Sequence, residues 1–159
     1  MKTRKPLRLP GYDYSGAGGY FVTFCTKGRE HLLSSIRVGP DALIGPQVEL
    51  SRIGELVDGA IQSANRAYEN VSIPCYVIMP NHVHLLITME GGPMGASGPT
   101  LGMIVRGIKT KVSRTLGYSV WQEKFYDHVI RGGEDCLRVW EYIDTNPAKW
   151  REDEYYAGE

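Results

Sequence analysis

The sequence predicts an α+β fold in which helices pack on an antiparallel sheet. Three observations carry that expectation. Short runs rich in β-branched and aromatic residues alternate along the chain. Longer segments repeat their apolar residues at helical spacing. The two kinds of segment follow one another in the order β, (β), α, β, β, α, β, α, which suits a sheet covered by helices.

Each element has its own signal. Residues 19–27, GYFVTFCTK, read as a strand. Residues 35–50 hold Gly39-Pro40 and Gly45-Pro46, so short strands or an irregular hairpin fit there. From Ser51, a plausible N-cap, Ile53, Leu56, Val57, Ala60, Ile61 and Ala64 line one face of a helix. Residues 71–79 and 82–89 are apolar β-rich runs on either side of Pro80-Asn81. The segment GGPMGASGP over 91–99 reads as a surface loop. Thr100 caps a second helix with Leu101, Ile104, Val105, Ile108 and Val112 as its buried stripe. Residues 120–131 read as a further strand, and a last helix runs from Gly132-Gly133 to Pro147.

A chain of 159 residues with 42% hydrophobic and 23% charged residues fits one globular domain over 1–159 and excludes a disordered tail or fibre. No run approaches the ~20 apolar residues of a membrane helix, and the N-terminus lacks the apolar stretch of a signal peptide. The expected location is therefore cytoplasmic. Cys25, Cys75 and Cys136 are odd in number and widely spaced, which favours small buried hydrophobes over a disulfide framework.

Formal net charge is zero, with 18 basic and 18 acidic residues, but the charges are not evenly spread. Residues 1–40 hold seven basic and two acidic side chains, and residues 101–131 hold six and two. The remaining segments are acidic. Two basic regions could form one phosphate-binding face if the fold joins them, or they could be ordinary solvated surface.

His82 and His84 are two apart in a strand-like run, so both imidazoles project from one face while Val83, Leu85 and Ile87 project from the other. Paired neutral imidazoles suit a divalent metal, with a third ligand from elsewhere. The same spacing also fits two histidines on an exposed strand. In the last helix the expected apolar stripe is Cys136, Val139, Trp140 and Ile143. Tyr142 falls about 110° from the centre of that stripe, and Asn146 lies one turn on, about 40° from Tyr142. A phenol and a carboxamide thus share a face, unless the tyrosine merely edges the core and the asparagine ends the helix before Pro147.

Together these residues carry a resemblance. The run Met79-Pro80-Asn81-His82-Val83-His84-Leu85-Leu86 resembles the HUH motif of single-strand transposases that use one tyrosine. RLPGYDYSGAGGYFVTFCTKGRE, VWQEKFYDHVIR and EYIDTNPAKW resemble the REP-associated tyrosine transposase branch of that family. The resemblance covers roughly Arg8 to Trp150, with separated motifs in the right order.

It implies a ferredoxin-like sheet that carries the histidine pair, and a C-terminal helix that carries the nucleophile. It assigns Tyr142 as nucleophile, and His82, His84 and Asn146 as ligands of Mg or Mn. Tyr126 is a distant second choice of nucleophile, and His128 lies close by in sequence. Three neutral ligands bring no charge, so such a metal would be completed by water and phosphate. The implied reaction forms a phosphotyrosine and releases a 3′-hydroxyl, although a phenol ionises only near pH ~10.

The implied partner is single-stranded DNA flanked by a hairpin, handled by a monomer or a homodimer. Bases stack on aromatics while cations track the backbone. The candidates are Arg4, Lys5, Arg8, Tyr12 and Tyr14 near the N-terminus, with Arg106, Lys109 and Arg114 on the second helix. Two other readings use the same residues. One is a non-catalytic nucleic-acid-binding protein on this fold. The other is a zinc hydrolase, which would need a carboxylate such as Glu141 or Asp144.

Overall fold

A computed structural model describes residues 18–37, 46–90, 99–153, 155 and 156. Its main sheet has four strands: β1 (Gly18–Cys25), β4 (Val71–Ile78), β5 (His82–Met89) and β6 (Tyr126–Ile130), in the order β4-β5-β1-β6. Every pairing is antiparallel. Helix α1 (Arg52–Ala67) connects β1 to β4 by way of a small hairpin, β2 (Ser34–Arg37) and β3 (Gln47–Leu50). Helix α2 (Leu101–Leu116) connects β5 to β6, and α3 (Gly133–Thr145) follows. This is the expected ferredoxin-like arrangement.

The caps fall where the sequence puts them. The Ser51 hydroxyl accepts from the Gly54 amide at 3.1 Å and the Thr100 hydroxyl from the Met103 amide at 3.2 Å, each satisfying an otherwise orphan first-turn donor. Gly54 has a second reason to be glycine. A Cβ there would lie 1.9 Å from the carbonyl oxygen of Leu33. On edge strand β4, Pro74 falls where the register slips between Ser72 and Cys75, a place where a missing N–H costs no ladder bond.

Strand alternation sorts the core into two layers. Tyr20, Val22 and Phe24 of β1 join Val83, Leu85 and Ile87 of β5 in a cluster with the buried stripes of α1 and α2. On the opposite face, Leu86 packs with Val139 and Ile143 of α3, flanked by Phe21 and Cys136. None of the three cysteines is in a disulfide; Cys25 is buried and the other two are half-buried.

Two sequence expectations are corrected. The strand expected over 120–131 begins only at Tyr126; before it, Trp121 makes a single bridge to Thr26. The carbonyls of Gln122 and Lys124 instead accept from the Lys109 ammonium, at 2.9 and 3.2 Å, so no neighbouring strand uses them. Trp140 does not belong to the buried stripe of α3, being 43% exposed. The face turned to the sheet carries Val139, Ile143 and the polar Asn146. Trp140 sits about 100° to one side of Val139, and Tyr142 about 60° to the other.

Candidate active site

The site lies at the end of β5 where His82 and His84 face α3. Both rings are buried, at 0% and 1% exposure, and meet edge to face with centroids 4.5 Å apart. They are interior histidines, unlike residues on an open strand face. Burial drives His82 down to about 4 from its ordinary 6.5, with the charge of Arg29 acting in the same direction and Asp153 and Asn146 opposing it. Burial also takes His84 well below its usual range, helped by His82. Both are neutral at physiological pH.

Their neighbours orient both rings and fix the tautomer of His82. The amide nitrogen of Asn81 donates to the carbonyls of Tyr155 (2.6 Å) and Arg29 (3.2 Å), which leaves its Oδ1 as an acceptor 2.8 Å from Nδ1 of His82. His82 Nδ1 therefore carries the proton, and Nε2 presents its lone pair. Nδ1 of His84 lies 2.7 Å from the Thr23 hydroxyl, which leaves Nε2 of His84 on the other side of the ring.

Among the described residues, Nε2 of His82, Nε2 of His84 and Oδ1 of Asn146 are buried without a hydrogen-bond partner. An orphaned buried polar atom costs ~1–3 kcal/mol, so three together need an explanation. A carboxylate joins them. Asp153 Oδ2 lies 3.6 Å from Nε2 of His82 and accepts from Nδ2 of Asn146 at 2.8 Å. Since His82 is neutral with its lone pair on Nε2, two acceptors face each other across that gap. A cation between them would turn repulsion into coordination. Ligand atoms of His82, His84 and Asp153 all lie within 4.8 Å of one another. Two imidazoles, a carboxamide oxygen and a carboxylate fit a divalent metal such as Mg, Mn or Zn.

Tyr142 stands over this cluster. Its ring meets His84 at a centroid distance of 5.3 Å and Phe21 edge-on at 5.7 Å. At 41% exposure it is open to solvent on one side and to the histidines on the other. Asn146, one turn later, is 3% exposed and points into the cluster. Tyr126 is paired with Thr23 on β1, two strands from His84 and so about 10 Å away across the sheet. His128 is engaged by Asp135 at 2.8 Å. The fold thus brings together Tyr142, His82, His84 and Asn146, and leaves Tyr126 and His128 aside.

The sequence reading missed Asp153 and the wall behind it. After α3 a 3-10 segment, Pro147–Glu152, returns the chain across His82, where Tyr155 lies at 4.4 Å and Trp150 at 5.9 Å. No periodicity marks such a segment; the one available signal was an acidic residue within a few positions of Asn146. Glu141 and Asp144 are exposed on α3, so the carboxylate comes from elsewhere.

The basic candidates are distributed differently. Arg4, Lys5, Arg8, Tyr12 and Tyr14, like most of the 91–99 loop, lie outside the described residues. Arg106, Lys109 and Arg114 are on α2, across the sheet from the histidines. Arg106 and Arg114 are exposed and line a groove of about 500 Å³ with Tyr118, whereas Lys109 also ties down the 122–124 backbone.

No family model matches the chain. An uncharacterized protein of Haemophilus influenzae strain Rd is 31% identical over 175 residues, covering 97% of this chain and 93% of that one. The REP-associated tyrosine transposase of Escherichia coli K12 is 31% identical over 78 residues, 48% of this chain and 44% of that protein. A solved REP-associated tyrosine transposase bound to a REP hairpin superposes with a TM-score of 0.60 at 23% identity, covering 94% of this chain and 74% of the other. That likeness establishes the fold.

Proposed function

We propose that this chain is a member of the REP-associated tyrosine transposase family, whose Escherichia coli K12 protein it resembles over about half its length, and that it is a metal-dependent single-strand DNA transposase of one domain that cuts and rejoins DNA through Tyr142. The observation that carries the reading is the position of the half-exposed Tyr142 ring against His84, above three buried, unpartnered ligand atoms. The substrate is single-stranded DNA beside a hairpin, as suggested by the hairpin bound to the solved relative. The expected setting is the cytoplasm; among the described residues no helix is long and apolar enough to cross a membrane.

His82, His84, Asn146 and Asp153 would hold the ion. When bound, a divalent ion neutralises charge on the non-bridging oxygens of the scissile phosphate. Asn81 and Thr23 keep the two histidines aimed. Tyr155 and Trp150 keep water from the far side of His82. Tyr142 Oη attacks phosphorus and loses its proton to solvent as the phosphorus–O3′ bond breaks. The departing oxygen takes up a proton and leaves as a 3′-hydroxyl. A phosphotyrosine at the 5′ end remains, and a 3′-hydroxyl attacking it reverses the step. Bond energy is conserved, so rejoining needs no ATP.

Asp153 also completes a His-His-Asp set of the sort a zinc hydrolase uses. The two readings part at the products. Incubation with a pool of hairpin-bearing oligonucleotides with randomised flanks and Mg²⁺ or Mn²⁺, followed by denaturing gels, should give protein-linked DNA. Cleavage without any linked protein would favour hydrolysis by water. Binding without cleavage would favour a non-catalytic nucleic-acid-binding protein.

A further inference from the structure

A cavity of about 650 Å³ opens beside the site, within the ~300–1,000 Å³ range of ligand pockets. It is lined by His31, Ser35, Pro80, Lys149, Trp150 and Arg151 among others. Trp150 links it to the histidine cluster: the indole ring lies 5.9 Å from the ring of His82 and 5.5 Å from that of His31. The wall is fixed, because the Leu33 amide donates to the carbonyl of Pro80 at 3.0 Å and the Ser34 hydroxyl to that of Ile78 at 2.9 Å.

The cavity carries basic side chains from an otherwise acidic stretch of sequence. Residues 132–159 are strongly acidic, and their basic members are Arg138, Lys149 and Arg151. Two of those three line the cavity, against Glu152 as its single acidic residue. Cations, imidazole and indole together match a phosphate joined to a flat base.

We propose that this cavity is a subsite for one unpaired deoxynucleotide of the strand that bears the scissile phosphate, with its phosphate on Lys149 and Arg151 and its base against His31 and Trp150. The proposal rests on the transposase reading and adds a place where the strand beside the cut is gripped. Lys149, Arg151 and His31 are exposed, so their replacement should leave the fold intact.

The test uses the full chain with Mn²⁺ and a labelled unstructured oligonucleotide, followed by fluorescence anisotropy. Lys149→Ala/Arg151→Ala should bind about tenfold more weakly, and the salt dependence should become shallower by about 1.4, for two contacts at ~0.7 each. His31→Ala should lose the penalty that an abasic position imposes on wild type. The adduct assay runs in parallel on wild type. Adduct formation with unchanged affinity and salt slope in the double variant overturns the subsite alone. No adduct from wild type overturns the transposase reading, and the subsite with it.

Discussion

The Tyr142 ring approaches the His84 ring at 5.3 Å with the planes inclined at 64°. One residue comes from α3 and the other from β5, and the packing of Val139 and Ile143 on Leu86, with Phe21, Cys75 and Val77 around them, sets their separation. The same packing buries Asn146 one turn later. A helix docked on a sheet thus places the proposed nucleophile and a proposed ligand together, and it makes the site depend on the register of that helix.

Metal binding should need the whole cluster. His82→Ala or His84→Ala should each lose roughly 10–100-fold in Mn²⁺ affinity, judging by the effect of lesser changes around metal ligands. Asp153→Asn removes the charge and keeps the shape, so its affinity should fall about tenfold. Titration calorimetry checks both. Native affinity in Asp153→Asn would remove that carboxylate from the site.

Asn81 never touches the metal in this account, yet it fixes the proton on Nδ1 of His82. Asn81→Ala should weaken Mn²⁺ binding by roughly 10–100-fold while the protein stays folded. Circular dichroism alongside calorimetry separates the two effects. A folded Asn81→Ala protein with wild-type affinity would contradict the tautomer assignment.

The buried histidines also make a claim about pH. His82 titrates near 4 in the folded chain and near 6.5 when unfolded. Between those values the unfolded chain holds a proton that the folded chain does not, so metal-free stability should fall as pH drops through that window. His84, lowered for the same reason, adds to the trend with the same sign. Urea midpoints between pH 7 and pH 4, with NMR titration of the imidazoles, measure it. A His82 ring that charges near pH 6.5 in the folded protein would contradict the buried site.

Gly54 tests the fold itself. An alanine Cβ would overlap the Leu33 carbonyl, so Gly54→Ala should cost about 1–3 kcal/mol or more despite the better helix propensity of alanine. Denaturant unfolding measures it, and a stabilised variant would show that α1 does not sit this close to Leu33.

Much of this arrangement was legible in the sequence, and the exceptions have physical causes. Strand periodicity alone put His82 and His84 on one face, and helix periodicity put Tyr142 and Asn146 on another. Capping chemistry placed the starts of α1 and α2. Hydrophobic patterning then misjudged α3, because it credited Trp140 and passed over Asn146, a polar residue buried by its role. The strand expected from Val120 is interrupted where Lys109, distant in sequence, takes the carbonyls of Gln122 and Lys124. Asp153 arrives on an irregular segment without a period to read, and only the folded chain shows it beside His82.

Tyr142→Phe removes the hydroxyl of the proposed nucleophile and keeps the ring. The phenol lies at the open edge of the site, so losing its hydroxyl should change stability by no more than about 0.5 kcal/mol. The variant should still bind Mn²⁺ and single-stranded DNA, since the ligands and cations are untouched. After reaction with the hairpin-bearing pool, peptide mass spectrometry should find DNA linked to Tyr142 in wild type and no adduct in Tyr142→Phe. An adduct on Tyr126, or undiminished cleavage by the variant, would show that Tyr142 is not the nucleophile.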